Sequence, residues 1–224
     1  MLLVSDYDII PEPARTTIIA LQISVAIGCI LIGLIAFKSF KKNDPHMSRT
    51  YFFGIPLFFL LVGAARVILV YHDYYAPDPQ DIPLWALANL IILSGFISLN
   101  YTVETQVYTK TRHFFSIFGI SITILYFASI FIDKFLATIL LYIATAFLFL
   151  PPLGIYLIIA TNSTGGVKKK ASIIVIGMLI LMLSQSTSLL EMIGLMDRIS
   201  SSIFGPPVAL TGLSLLGWGL VRFK

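Results

Sequence analysis

The chain has 224 residues, 58% of them hydrophobic and 12% charged, with a mean hydropathy of +0.94. Soluble domains carry about twice that charge, so the composition excludes a soluble globular protein and points to an all-α, polytopic membrane bundle. The net charge of +4 is no sign of nucleic-acid binding, because the basic residues fall almost entirely on one side of the expected spans.

Residues 1–15 set Asp6, Asp8 and Glu12 against Arg15, with Pro11 and Pro13 opposing a helix. No basic segment precedes a short apolar core here, so the stretch reads as an extracytoplasmic lead-in and not as a secretory signal. Seven spans are expected after it, at about 16–37, 51–71, 83–103, 114–132, 135–160, 171–190 and 203–221, and residues 222–224 follow as a cytoplasmic tail. Each is near the roughly 20 apolar residues that cross a bilayer. Pro151 and Pro152 should kink span five, with the freed carbonyls met by neighbouring helices. Gly28 and Gly33 in span one, and Gly212, Gly217 and Gly219 in span seven, permit close helix approach. Cys29, the single cysteine, lies inside span one and carries no redox information.

Charge sets the expected orientation. The connections after spans one, three and five, together with the C-terminus, hold eleven of the fifteen basic residues, including Lys41, Lys42, Lys110, Arg112 and Lys168 to Lys170. The positive-inside rule then places the N-terminus outside and the C-terminus in the cytoplasm of a cell membrane. Trp85, Trp218 and Tyr71 sit near span ends, as an aromatic belt does. Asn162-Ser163-Thr164 matches a glycosylation sequon but falls on the cytoplasmic side.

Span six carries the most unusual stretch, Ser184-Gln185-Ser186-Thr187-Ser188, with Glu191 three residues further on. On a helix Ser184, Thr187, Ser188 and Glu191 share one face, and such a polar face in hydrocarbon must look toward protein or water. A ruler of ~1.5 Å per residue puts several polar residues in one layer, about 8–12 Å below the outer surface. They are Gln22, Arg66, Asn89, Tyr142, Gln185 and Thr211, with Glu191 just above, and Ser188 of the same span-six face is counted with them as a candidate ligand-binding residue. Arg66 at this depth needs a partner, a water-filled cavity or a snorkelling route to the headgroups, and Glu191 is the most economical partner. The layer reads as an outward-facing pocket for a small ligand or, in the simpler alternative, as hydrogen bonding that fixes the packing. On span three Asn89, Leu93, Phe96 and Asn100 form a stripe continued by Glu104. Glu104 is expected to anchor at the inner interface against Lys110, Arg112 or the lysines at 168–170.

His46, His72 and His113 lie in loops or at span ends, and no metal-ligand spacing or catalytic motif stands out. No metal or cofactor is expected, and no enzymatic activity. Seven spans with an outside N-terminus resemble the topology of microbial rhodopsins and seven-helix receptors. Span seven has no lysine for a retinal Schiff base, however, and span three ends Asn100-Tyr101-Thr102-Val103-Glu104 where the receptors carry Asp-Arg-Tyr. The whole chain, through no single motif, also resembles uncharacterised seven-span membrane proteins of archaea and the seven-span sensor modules of some histidine kinases. The expectation is a non-enzymatic receptor- or sensor-like protein embedded in the lipid bilayer, binding a small ligand and signalling to a cytoplasmic partner. The alternatives are an accessory subunit held by other membrane subunits, or a small-solute transporter. Apolar mid-membrane stretches at 91–93, 122–125 and 178–183 count against transport.

Overall fold

A computed structural model describes residues 11–43, 49–75, 82–192 and 194–221. Most of the N-terminal lead-in and the tail at 222–224 lie outside these residues. The regular structure described is helical throughout: α1 (Glu12–Asn43), α2 (Arg49–Tyr74), α3 (Ile82–Gln106), a 3-10 turn (Thr109–Thr111), α4 (Phe114–Ile130), α5 (Lys134–Asn162), α6 (Gly165–Met192) and α7 (Arg198–Val221). Five of the seven α-helices are long and apolar enough to cross a membrane: Glu12–Ser39 of α1, Phe53–Tyr74 of α2, all of α3, all of α5 and Ile199–Val221 of α7. That makes the chain a multi-pass helical membrane protein. Of the other two, α4 is apolar but only 17 residues long, and α6 opens with Lys168, Lys169 and Lys170.

The helices overrun the expected spans at their ends. Helix α1 starts at Glu12 with Pro13 inside it, because the first-turn amides of a helix have no intrahelical acceptor and proline loses nothing there. Glu12 in that turn also favours the positive end of the helix dipole. Helix α7 starts five residues before 203, where the Asp197 carboxylate accepts the Ser200 amide at 3.0 Å and caps the helix.

Packing follows chain order. Each α-helix lies against the next, α7 returns to α1 and closes the ring, and α3 also reaches α5. In lipid there is no hydrophobic drive between helices, so close backbone approach carries the contacts. A β-carbon added to Gly177 of α6 would lie 2.7 Å from the Leu216 amide nitrogen, and one added to Gly212 of α7 would lie 2.9 Å from the Gly177 carbonyl. Gly28, Gly33, Gly217 and Gly219 are likewise filled against Leu210, Leu60, Ile32 and Ile174. The largest apolar cluster, with Phe58, Phe59, Leu99, Met178 and Leu216, joins α1, α2, α3, α5, α6 and α7. A second, around Leu93, Ile122, Tyr126 and Leu148, joins α3, α4 and α5.

The proline pair of α5 behaves as its chemistry requires. Pro152 has no amide to give to the Leu148 carbonyl, four residues earlier. The buried Asn100 of α3 donates its Nδ2 to that carbonyl at 2.6 Å, and to its own Phe96 carbonyl at 3.0 Å. Glu104, one turn on, is also buried, and its role differs from the expected pairing with basic residues. It accepts the amides of Phe115 at 3.0 Å and Ser116 at 2.9 Å, together with the Ser116 hydroxyl. These are first-turn amides of α4, whose N-cap position is His113 in a left-handed conformation with no capping side-chain bond of its own. A carboxylate from the neighbouring helix therefore fills the place that serine or aspartate fills locally.

Candidate functional site

A polar cavity of about 220 Å³ opens between α1, α2, α6 and α7, toward the end of the bundle where α1 begins. Helix α1 supplies Gln22 and Val25, and α2 supplies Arg66, Asp73 and Tyr74. Ser184, Gln185, Thr187 and Glu191 of α6 form the facing wall. The opening turns of α7 complete it with Ser201, Ser202, Gly205, Pro206 and Ala209.

Each wall has a local reason. Ser184, Thr187 and Glu191 recur at three and four residues, so a single helical face presents all three. The Thr187 hydroxyl bonds back to the Ser184 carbonyl at 2.8 Å, which satisfies its proton within α6. Gly205 brings α7 close to this face, since a β-carbon there would meet Thr187 Oγ1 at 3.0 Å. The Ser201 hydroxyl donates to Glu191 Oε2 at 2.8 Å across the α6–α7 turn. Pro206 has no amide for the Ser202 carbonyl, so the helix ladder is open beside the cavity.

Arg66 is the one basic side chain lining the cavity among the described residues. Its Nε is enclosed and has no hydrogen-bond partner there. No ion pair among the described residues includes Arg66. Asp73, two turns along α2, is the carboxylate within its electrostatic reach. Asp73 Oδ1 lies 2.7 Å from His72 Nδ1, and the Asp73 side chain remains 40% exposed. The buried Tyr74 lines the same cavity, in the electrostatic field of Asp73 and Glu191. The cavity thus has a cationic group on one wall and carboxylates on two others, with hydroxyls and amides between them.

Of the residues expected in one polar layer, Gln22, Arg66, Gln185 and Glu191 come together here. Arg66 and Glu191 line the same cavity without a direct ion pair between them. The Ser188 side chain lies outside the described residues. Asn89 faces away from the cavity: it donates to the Trp85 carbonyl at 2.9 Å and lies near Tyr126 in the α3–α4–α5 cluster. Tyr142 is 40% exposed on α5, and the exposed Thr211 bonds to the Pro207 carbonyl of its own helix. Depth along a span does not reveal which way a helix turns its side chains, and these three share the depth but not the direction. Ser201 and Ser202 were outside the expected set because span seven was drawn from 203. The serine run at 200–202 after a capping Asp197 was the available signal. Among the described residues no three His, Cys, Asp or Glu side chains gather as a metal site requires.

These features define a multi-pass helical membrane protein with a charged cavity among four of its helices. No family model matches the chain, and neither a curated protein nor a solved structure matches it.

Proposed function

We propose that the chain crosses a cell membrane seven times, with the N-terminus outside and the C-terminus in the cytoplasm, and acts as a non-enzymatic receptor or sensor. On this reading α4 and α6 also span, and the cavity opens outward. A small ligand binds there, and the change is passed to a partner at the lysine-rich cytoplasmic face. The observation that carries the proposal is the cavity itself: an arginine set among hydroxyls and carboxylates at membrane depth is costly unless it has a task. A binding cavity is favoured over a transport path because the next turns inward contribute Cys29, Val62, Met178, Leu181 and Leu213, all buried in the main apolar cluster.

Cysteine accessibility tests the orientation and the opening together. Ser202→Cys and Lys169→Cys are made separately, with the buried Cys29 left in place as an internal silent thiol. A membrane-impermeant maleimide added to intact cells is expected to label Ser202→Cys and to label Lys169→Cys only after lysis. Labelling of Lys169→Cys in intact cells, or a Ser202→Cys that stays silent in intact cells but reacts after lysis, refutes the proposal.

A further inference from the structure

The charge pattern of the cavity points to a class of ligand, and the inference rests on the reading of that cavity as a ligand site. Arg66 and Asp73 lie two turns apart on one face of α2, about 10 Å along the axis at ~1.5 Å per residue. An arginine side chain on a helix leans toward the helix N-terminus. In α2 that direction leads into the bundle, so the guanidinium lies on the deep side of Asp73. Asp73, whose side chain is 40% exposed, stands nearer the mouth than the enclosed Nε of Arg66.

A simple anion would meet Arg66 only after passing Asp73, and a simple cation held by Asp73 would leave Arg66 unsatisfied. A molecule with a carboxylate at one end and an ammonium at the other answers both. Its carboxylate takes the guanidinium through charge-assisted hydrogen bonds, and its ammonium sits against Asp73. Ser184, Gln185, Ser202 and Gln22 offer neutral hydrogen bonds along the length. Val25, Pro206 and Ala209 provide little apolar surface for a ligand side chain. The geometry points to a small zwitterion, an unbranched amino acid with little or no side chain, as the ligand of this cavity.

The test uses the full chain purified in a mild detergent, with binding read by calorimetry and by the melting temperature. The probes are glycine, β-alanine and γ-aminobutyrate, which place the two charges progressively further apart, with acetate and methylammonium as the two half-ligands. At least one of the three zwitterions is expected to bind about tenfold or more tightly than either half-ligand, a difference of about 1.4 kcal/mol. Arg66→Gln is expected to abolish that preference. Asp73→Asn, at the partly exposed mouth, keeps the fold and is expected to bring the zwitterion down to the level of acetate. The inference is overturned by acetate or methylammonium binding as tightly as the best zwitterion, by Asp73→Asn leaving the preference unchanged, or by none of the three zwitterions binding a protein that melts cooperatively. A ligand of another chemistry would still leave the outward opening intact, since the maleimide experiment reads that separately.

Discussion

The bond between Asn100 and the Leu148 carbonyl can be tested for the role assigned to it. Asn100→Leu keeps the number and branching of the side-chain heavy atoms and removes the donor. The Leu148 carbonyl is then left without its helical amide, which Pro152 lacks, and without its replacement, in a residue that is 1% exposed. An orphaned buried acceptor costs about 1–3 kcal/mol. Interhelical hydrogen bonds inside membranes average nearer 0.6 and reach about 1.7 kcal/mol, so a loss of about 1–2 kcal/mol is expected. For a chain of this length that is a fall of about 2–8 °C in melting temperature. The informative measurement is the double-mutant cycle with Pro152→Ala, which restores an amide four residues after Leu148. With the helical bond available again, Asn100→Leu should cost less in the alanine background, by about 0.5 kcal/mol or more. The assay is thermal melting of the four detergent-solubilised proteins, followed by intrinsic tryptophan fluorescence and by size-exclusion recovery. Equal costs in the two backgrounds would refute the reasoning, because Asn100 would then be acting through some contact other than the freed carbonyl.

Three further outcomes are expected. Gly177→Ala should lower the melting temperature sharply, by the equivalent of about 1–3 kcal/mol, because its new methyl meets backbone of α7; Gly154→Ala, with open space around it, should be neutral or stabilising by up to about 1 kcal/mol, and similar losses at both sites would show that α6 and α7 do not approach as described. Glu104→Ala should destabilise by about 1–3 kcal/mol and loosen α4 first, read as faster hydrogen exchange at Phe115 and Ser116 than at α6 amides; unchanged exchange there would show that the carboxylate is not their cap. The Ser200 hydroxyl, followed by the Ser200 amide, holds the Asp197 carboxyl below the usual carboxylate range. A depressed native pKa contributes stability that is complete above the unfolded value and lost as pH falls toward the native one. Asp197→Asn should therefore flatten the acid limb of the melting curve below about pH 4, and an unchanged limb would place the acid sensitivity elsewhere.

The split between what was legible and what was not follows the physics of each signal. Apolar length marks a membrane helix irrespective of context, so the seven helices fall where the spans were expected, give or take a turn or so at most ends. The polar face of α6 was equally legible, because Ser184, Thr187 and Glu191 can satisfy themselves only on one side. Ring closure was not legible. Nothing in α1 or α7 alone says that they touch, and without that contact Gln22 and Ser202 cannot be placed on the same cavity. Asn89 and Thr211 show the matching error, being right in depth while a rotation about the helix axis turns them elsewhere. Glu104 was misjudged for a different reason. A carboxylate near lysines suggests an ion pair, whereas the stronger demand came from amides at the start of α4, which carries no capping side chain of its own. An uncapped helix start ten residues after an acid was the clue.

The shortness of α4 has a consequence for the lipid around the protein. Its 17 residues span about 25 Å, against the ~30 Å of hydrocarbon in an average bilayer. Its outward side, with Ile117, Ile120, Ile124 and Leu125, is strongly exposed. On the proposed topology α4 has no surplus length with which to tilt, whereas the 29-residue α5 beside it has ample. On that topology lipid next to α4 would compress, an asymmetric thinning on one flank of the protein. Short-chain phosphatidylcholine should relieve that deformation and long-chain phosphatidylcholine should deepen it. A second copy or another short helix laid along this flank would remove it, so lateral association should strengthen as the acyl chains lengthen, measured by energy transfer between labelled copies in vesicles of increasing chain length.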